Sequence, residues 1–448
     1  MKTLRRICLL ISLFLVLFAG TPAEVSAVGN TDLAPGYTNV TLAPYSAPTI
    51  PLNTPCNTST STSFDATTQI QTALTATGAA GGGIVYLPSG MYCIKTHLSI
   101  PSNVTLKGVF VTPPSKSTGC CPTVGTVLFA VEGAGSSTGT PFISESGPNS
   151  VVDGLSIYYQ NQNPLTNTIG WTPTAFPYTI RGSFDSTIQN VMLVNSYQGI
   201  DLFTNQSGRH FVRGVYGEPL AVGIKVNQSL DVSRIEDVHF WPFWSTSDVG
   251  LLTWVQRNGV AFIFGRSDWE LVNNVFAWGY SIGMGFQDLG QGTTAASMTN
   301  VVFDSVGTGI DLYDSNTLVV TNLLVWNSTD TSVPRKGIWN HANASSAALS
   351  IVNATIGGGT HQAVLWEQGG MLKLSNAKIQ KVESPTASVA VVDGNAMVQD
   401  NAFEGALAGT ADVYVGPAAD RVIITGNMLF GGTITVSNST TLQANNQP

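Results

Sequence analysis

The sequence reads I-Q-N-V at Ile188–Val191, V-R-G-V at Val212–Val215 and I-E-D-V at Ile235–Val238. Related segments recur from about residue 150 to the C-terminus, each with Asn, Gly or Asp at one fixed point, which we call the marker. The markers are Gly154, Asn190, Gly214, Asp237, Asn274, Asn300, Asn322, Asn353, Asn376, Asn401 and Asn427. Successive markers are 22 to 37 residues apart. Strand-like units that recur at such a period are typical of a solenoid.

The apolar residues around each marker predict how the units pack. Alternate side chains of a strand point to opposite faces, and the residues two before and one after the marker are apolar, as at Ile188 and Val191. A second short strand follows the first, at Gly199–Leu202, Gly223–Val226, Gly309–Leu312 and Gly337–Asn340. We therefore expect a core built coil by coil. The marker lies at the bend between strands, where stacked Asn side chains can hydrogen-bond from coil to coil.

A different pattern precedes the repeats. It reads F-D-A-T-T-Q-I-Q-T-A-L at Phe64–Leu74, G-G-G-I-V-Y-L-P-S-G-M-Y at Gly81–Tyr92 and L-S-I-P-S-N-V-T-L-K-G at Leu98–Gly108. The apolar spacing predicts a short helix over Phe64–Thr77, capped by Asp65 or Thr67, and then strands at 84–88, 92–94 and 104–109. Ile70, Ala73 and Leu74 form the apolar face of this helix.

These stretches resemble the N-terminal part of pectate-lyase-like right-handed β-helices, a superfamily that includes pectin-degrading enzymes and tailspike-type depolymerases. The resemblance implies an all-β fold, a single-stranded right-handed parallel β-helix with an N-terminal capping helix. It covers the fold of most of the chain and does not fix an activity.

The chain divides into three segments. Residues 1–27 carry Lys2, Arg5 and Arg6, an apolar run over 7–19 and the small residues of Val25-Ser26-Ala27, which predicts a signal peptide and a secreted or cell-surface protein. Residues 28–60 are rich in Pro, Thr and Asn without periodicity, which predicts an extended arm. Residues 61–448 form the predicted β-helix domain. No later segment is long and apolar enough to span a bilayer.

The charge balance favours some partners over others. The signal segment contains three basic residues and one acidic residue, so its removal changes the formal net charge from −8 to −10. An acidic surface argues against nucleic acids and anionic membranes as partners. Only 10% of the residues are charged, and the abundant Ser, Thr and Asn suit a polysaccharide.

Four cysteines follow the signal segment, at Cys56, Cys93, Cys120 and Cys121. In an oxidising compartment they allow three pairings. A bond between the adjacent residues Cys120 and Cys121 is strained, so we expect Cys56 and Cys93 to be tied to that pair. The chain has no C-x-x-C or accompanying His cluster, so the sequence predicts no metal site and no cofactor.

The outward positions beside the markers contain the candidate catalytic residues. The column before the marker reads Gln189, Arg213, Glu236, Asn273 and Thr299, and the column after it reads Met192, Tyr216, His239, Phe276 and Val302. Arg213, Tyr216, Glu236 and His239 are therefore expected on adjacent coils. In a lyase acting on an acidic, pectin-type polysaccharide, Arg213 binds the substrate carboxylate, His239 is the base and Tyr216 is the acid or a second base.

Two alternatives remain open. A glycoside hydrolase in the same groove needs two carboxyl groups, which Glu236 supplies with Asp201, Asp248 or Asp268. A non-catalytic surface protein binds glycans through aromatic loops alone. The signatures of polygalacturonases are missing, because the chain has no Asp-Asp and no Gly-His, and a W-x-D-H run is absent too. A calcium-dependent pectate site is therefore not supported.

Two long insertions, at about 158–181 and 240–258, are expected to form the walls of a groove. The predicted substrate-binding residues are Trp241, Trp244, Asp248, Arg257, Arg266, Asp268 and Trp269. Structural roles compete with each assignment. Arg213 and Glu236 also suit a surface ion pair worth under about 1 kcal/mol, His239 suits an ordinary surface position, and Asp201 with Lys225 suits a structural pair. The run Trp241–Trp244 also suits a small satellite core.

Overall fold

The chain folds into one long solenoid of parallel strands in the computed structural model. The structure describes residues 36–447 except residue 58 and residues 114–122, 163–167, 342–345, 381, 384–386 and 405–408. The predicted signal peptide and Cys120 and Cys121 lie outside the described residues, so the signal peptide remains a prediction.

Two α-helices and thirty strands are described. The helices are α1 (Thr67–Ala79) and α2 (Val249–Asn258). The strands are β1 (Tyr37–Asn39), β2 (Gly83–Tyr86), β3 (Gly90–Ile94), β4 (Leu98–Ile100), β5 (Val104–Lys107), β6 (Thr126–Ala130), β7 (Ile143–Glu145), β8 (Val151–Tyr158), β9 (Tyr178–Arg181), β10 (Thr187–Val194), β11 (Gln198–Leu202), β12 (Phe211–Gly217), β13 (Val222–Val226), β14 (Ser233–Phe240), β15 (Val260–Phe264), β16 (Ser267–Trp278), β17 (Ile282–Phe286), β18 (Thr294–Val306), β19 (Thr308–Leu312), β20 (Thr317–Asn327), β21 (Lys336–Asn340), β22 (Ala348–Gly358), β23 (Gln362–Trp366), β24 (Met371–Ile379), β25 (Ala387–Gln399), β26 (Ala402–Phe403), β27 (Ala411–Thr425), β28 (Met428–Leu429), β29 (Thr433–Val436) and β30 (Leu442–Ala444).

Each coil contributes to three faces of the solenoid. Face A contains the strand segments before the markers, face B the segments after them, and face C the short strands that follow, such as β11, β13, β19 and β21. Every described strand pair is parallel and joins equivalent strands of successive coils. The fold is the predicted right-handed parallel β-helix.

The markers bend the strands between faces A and B. Asn190 has a φ of 53° and is skipped in the register, because Gln189 pairs with Arg213 and Val191 pairs with Val215. A left-handed φ is available to Gly, Asn and Asp at low cost, which explains the residue types at this point. The predicted ladder is confirmed between several coils: Asn322 Nδ2 donates to Asn300 Oδ1 at 2.9 Å, and Asn353 Nδ2 donates to Asn322 Oδ1 at 2.6 Å.

The last two markers are wrong by one residue. Asp400 and Gly426 have the left-handed φ values, 54° and 70°, whereas Asn401 and Asn427 are buried. Asn401 Nδ2 donates to Asn427 Oδ1 at 3.0 Å, so these two residues form a separate buried ladder. The motif lengthens here by one residue, as in V-Q-D-N-A, and the bend precedes the Asn.

The N-terminal end confirms the expected helix. Ile70, Ala73 and Leu74 of α1 are fully buried against the first coils. Asp65 Oδ1 accepts the backbone N–H of Thr67 at 3.0 Å, which satisfies one of the unpaired donors at the start of α1.

The described part of the segment predicted as an extended arm, residues 36–57 and 59–60, packs on the solenoid. β1 pairs with β2, and Val40 is buried in the main core. Further along, Ile50 and Cys56 cover the outer surface of face B, where they join Phe129, Tyr158 and Met192 in a second apolar cluster, which we call the outer cluster. The arm has no periodicity because single residues, rather than a whole face, make these contacts.

The predicted disulfide pairing is wrong. Cys56 and Cys93 bond to each other, with their Cα atoms 5.4 Å apart, so neither is tied to Cys120 or Cys121. Packing of the arm on face B brings Cys56 to β3, and this contact is not evident from the spacing of the cysteines. The bond fixes the arm to the outer cluster.

Candidate functional site

The strand register brings the predicted columns together. In the strand register, Arg213 lies opposite Glu236 and Tyr216 lies opposite His239 between β12 and β14. His239 in turn lies opposite Phe276 between β14 and β16. Adjacent strands lie about 4.8 Å apart. The side chains of these columns point outward, because the alternating positions Val215, Val238 and Val275 fill the core.

A depression of about 420 Å³ opens over the bend between faces A and B, and we call it the A–B pocket. It is lined by Gln189, Asn190, Arg213, Gly214, Tyr216, Asp237, Val238, His239, Asn274 and Phe276. The lining thus contains three of the four predicted catalytic residues. Glu236 lies on the same column, half-buried, but outside this lining.

Arg213 pairs with a carboxylate other than the expected one. Its Nε donates to Asp237 Oδ2 at 3.1 Å, so the ion pair expected with Glu236 is replaced by one with Asp237, the marker of the next coil. The side chains remain 57% and 37% exposed, respectively. An ion pair this open is weak and exchangeable, so the guanidinium is available to a carboxylate of a ligand.

His239 lies among aromatic rings. Phe276 and Phe243 approach its imidazole edge-on, with ring centroids 4.8 and 5.1 Å away, and Tyr216 lies at 6.4 Å. Burial lowers the pKa of His239 below its ordinary value of 6.5. The imidazole is therefore neutral at neutral pH, which is the state that a proton acceptor needs.

The second insertion, at about 240–258, mainly packs on the surface of the solenoid and contributes little to the wall of a groove. Residues 249–258 form α2, in which Leu251 and Val255 are buried in the main core. Trp254 packs against the same core, and Trp244 packs on the outer cluster. This result supports the satellite-core interpretation for Trp244. Trp241 lies on face B, where its ring contacts Trp278 at 4.9 Å.

Four other predicted substrate-binding residues have different surroundings. Asp248 is buried and caps α2, because its side chain accepts the Leu251 N–H at 3.0 Å. Arg257 pairs with Asp330 at 3.0 Å at the other end of the helix. Arg266 and Asp268 pair with each other at 3.3 Å, in the turn that leads from face C to face A.

That turn lies far from the A–B pocket. Trp269, 53% exposed with a φ of 74°, precedes the marker Asn274 by five residues, or about 16 Å of strand. Arg266, Asp268 and Trp269 therefore do not share a groove with Arg213. Insertion length and aromatic content alone did not show which corner of the coil each loop occupies.

Two of the three carboxyl pairs expected for a hydrolase, those of Glu236 with Asp201 and with Asp268, are not brought together. Asp201 lies on face C, fully buried, and accepts hydrogen bonds from Arg181, Phe203 and Thr204. Its role is structural, as the alternative interpretation held. Its ion-pair partner is Arg181 and not the expected Lys225. The Lys225 ammonium lies instead over the Phe203 ring, 3.8 Å from the ring centroid. Asp268 lies at the far end of face A from Glu236, well beyond the roughly 5 to 10 Å between glycosidase carboxyl groups.

Sequence reasoning missed several residues of the pocket. Asp237 and Asn274 were interpreted only as markers, although both line the depression. The signal was available, because a charged marker among Asn and Gly markers places a carboxylate at the surface. Trp278, which contacts Trp241 and is not part of the pocket lining, was missed too because it ends a long strand whose bounds the sequence did not show.

Comparison with known proteins supports this architecture. Residues 60–239 match a family model described as rhamnogalacturonase A/epimerase, pectate lyase-like. The match covers 180 of the 448 residues. The Dettilon tailspike protein has a similar fold, in an alignment that covers 90% of this chain and 68% of that one, at 14% identity and a TM-score of 0.54.

A second solved structure is similar in fold over its whole length. It is the DFA-IIIase from Arthrobacter chlorophenolicus A6 without its lid in complex with GF2, and the alignment covers 91% of this chain and 100% of that one, at 14% identity and a TM-score of 0.54. No curated protein matches the sequence significantly. Within the described part of the chain, neither helix has the length and apolar character of a membrane span.

Proposed function

We propose that the protein is a secreted carbohydrate-active enzyme that acts on an acidic polysaccharide at the A–B pocket by abstracting the proton next to a uronate carboxylate. The observation that carries this proposal is the presence of Arg213, Tyr216 and His239 in one open depression. The pectate-lyase-like description of the matched family supports the substrate class.

Each residue has a role that follows from its surroundings. Arg213 binds the substrate carboxylate and displaces Asp237 from its exposed ion pair. Neutralising that carboxylate makes the adjacent C–H more acidic, and the neutral imidazole of His239 accepts the proton. In β-elimination the electron pair forms a C=C bond, the C–O bond to the leaving sugar breaks, and the Tyr216 hydroxyl donates a proton to the leaving oxygen.

The same first step also begins an epimerisation, and the family description names an epimerase as well as a rhamnogalacturonase. In that reaction the proton returns to the opposite face of the same carbon and no bond between sugars breaks. Elimination produces a sugar end that absorbs in the ultraviolet, hydrolysis produces a reducing end without this absorbance, and epimerisation in deuterated water introduces deuterium without cleavage. A protein that only binds the polysaccharide gives none of these products.

The experiment assays polygalacturonate, rhamnogalacturonan and alginate for all three products with the wild type and with Arg213→Ala. We expect ultraviolet-absorbing ends from the wild type and a loss of roughly a hundredfold or more in turnover for Arg213→Ala, since an unneutralised carboxylate opposes carbanion formation. The matched control is Arg209→Ala. Arg209 is also exposed and paired with an aspartate, at 2.7 Å, but lies outside the pocket. Equal turnover of Arg213→Ala and Arg209→Ala would contradict the assignment.

A further inference from the structure

A second group of chemically active side chains lies on the outer surface of face C, and we call it the face C stack. It contains Asp311, Tyr313, Lys336, Trp339, His341 and Glu367. These residues come from three successive coils, at the ends of β19, β21 and β23. The A–B pocket contains none of them.

The register explains how the stack forms. Asp311 pairs with Trp339 between β19 and β21, and Tyr313 and His341 lie two residues further along each strand. The His341 imidazole stacks on Tyr313, with centroids 4.1 Å apart and planes 10° apart, and on Trp339, at 3.8 Å and 27°. The four side chains therefore form one ordered unit across two coils.

Diagonal hydrogen bonds hold the rings in place. His341 Nε2 bonds to Asp311 Oδ1 at 2.5 Å, and the Trp339 indole N–H donates to Glu367 Oε2 at 2.7 Å. The Lys336 ammonium lies over the Trp339 ring at 3.6 Å from its centroid. The His341 and Trp339 rings thus each have a polar partner that fixes their orientation.

The fold does not require these residues. The same outward column contains Ile263, Gly285 and Leu365 on neighbouring coils, so apolar or absent side chains suffice there. The Asp311 side chain is only 3% exposed and that of His341 16%. Removing a carboxylate from water is costly, and an apolar pair in its place is often as stable or more so. A functional role explains its presence better than stability does.

The stack is open on the side of the preceding coil. Gly285 pairs with Asp311, and a Cβ built on Gly285 meets no atom nearer than 3.9 Å. Tyr313 is 42% exposed although it is a large ring. Because Gly285 has no side chain, the surface is recessed beside Asp311 and Tyr313, and we call this recess the step. The step has room for a ring-shaped ligand.

We propose that the face C stack is a binding site for a neutral sugar unit of a glycan. The exposed Tyr313 ring offers an apolar face to sugar C–H groups, and the Glu367 carboxylate accepts hydrogen bonds from sugar hydroxyls. Together with Asp314, which directly follows Tyr313 in the chain, Asp311 and Glu367 carry more negative charge than Lys336 and His341 can balance, which disfavours a uronate. The ligand therefore differs in charge from that of the A–B pocket, and the proposal does not depend on the elimination reaction.

The test measures binding of cellohexaose, laminarihexaose, mannohexaose and trigalacturonate to the full chain by isothermal titration calorimetry. We expect the wild type to bind at least one neutral hexasaccharide, and we expect Tyr313→Ala and Trp339→Ala to weaken that binding roughly tenfold or more. Tyr414→Ala is the matched control, because Tyr414 is an outward aromatic residue of the same face, four coils from Asp311.

A second pair of variants separates loss of binding from loss of folding. Gly285→Leu fills the step without backbone strain and should abolish binding, whereas Gly285→Ala should retain it. Arg213→Ala should also retain it, so a failure of the proposed enzymatic function leaves this test intact. The proposal is overturned if no neutral hexasaccharide binds, if Tyr313→Ala and Gly285→Leu bind like the wild type, or if trigalacturonate competes for the site.

Discussion

The A–B pocket and the face C stack are built in different ways from the same coils. In the pocket, Arg213 and Asp237 face water and their charges are half-exposed, whereas in the stack Asp311 is nearly inaccessible and paired with His341. The aromatic side of the pocket adjoins the outer cluster, which the arm completes and the Cys56–Cys93 bond fixes. The described contacts of the stack come from successive coils alone.

This difference teaches that a solenoid can bring side chains together in two ways. One uses contacts between successive coils, and the other uses contacts with a segment outside the repeats. Register alone places Asp311, Trp339 and Glu367 together, because each coil repeats the same path. The surroundings of the pocket also need a contact between the arm and face B that no repeat encodes. The pocket should therefore respond to changes far away in the sequence, and the stack should respond mainly to its own coils.

The largest expected effect on stability comes from removing the disulfide. Cys56 and Cys93 are 37 residues apart, and a loop of that size predicts a loss of about 3–4 kcal/mol in the free energy of unfolding for Cys56→Ala with Cys93→Ala. Urea unfolding followed by circular dichroism measures it, with dithiothreitol-reduced wild type as the control. A loss below about 1 kcal/mol in the free energy of unfolding would show that the arm is held by packing alone.

On heating, turnover at the pocket should fail before sugar binding at the stack, since solenoids need not unfold as one unit.

An intermediate effect concerns the pH dependence of stability. Burial lowers the pKa of His239 in the folded protein below 6.5, so in acid the unfolded chain takes up a proton that the folded protein does not. The contribution of neutral His239 is therefore fully present above pH 6.5 and is lost as the pH falls below that value.

His239→Phe removes this titration, so its stability should fall less than that of the wild type between about pH 7 and pH 5. Urea midpoints at each pH provide the measurement. His97→Phe is the control, because His97 is 43% exposed and pairs with Glu132 outside the pocket. Identical pH profiles for the wild type and His239→Phe would mean that the imidazole is not desolvated.

The smallest effect distinguishes an ion pair from a ligand site. Asp237→Asn keeps a residue suited to the left-handed φ of 54° and removes only the charge, so stability should change by less than about 1 kcal/mol. Because Arg213 loses its competing carboxylate, trigalacturonate should bind roughly threefold more tightly. Asp185→Asn is the matched control, since Asp185 has a φ of 57° and pairs with Arg209. Weaker trigalacturonate binding to Asp237→Asn alone would argue that Asp237 contacts the substrate directly.

Much of the fold was predictable from the sequence because it depends on local rules. The markers, the columns beside them and the short strands of face C follow from alternation and from the residues that accept a left-handed φ. The arm and the disulfide were not predictable, since Ile50 and Cys56 contact face B through single residues without a period.

The candidate sites were predictable only in part, for a related reason. Register placed Arg213, Tyr216 and His239 together, as expected. The choice of Asp237 over Glu236 depends on side-chain direction at the bend, which a strand pattern does not encode. The stack escaped notice because Tyr313 and His341 lie just after their strands, where alternation no longer assigns a face.

The bend between faces A and B has a consequence for how such chains can be altered. It is made by a single marker residue in each coil around the pocket, while the marker-to-marker distance varies from 22 to 37 residues. All variation in length must therefore enter at the other two corners. Foreign loops grafted between faces B and C or between faces C and A should be tolerated, whereas one extra residue at the A–B corner would shift the following strand and turn its core side chains toward water.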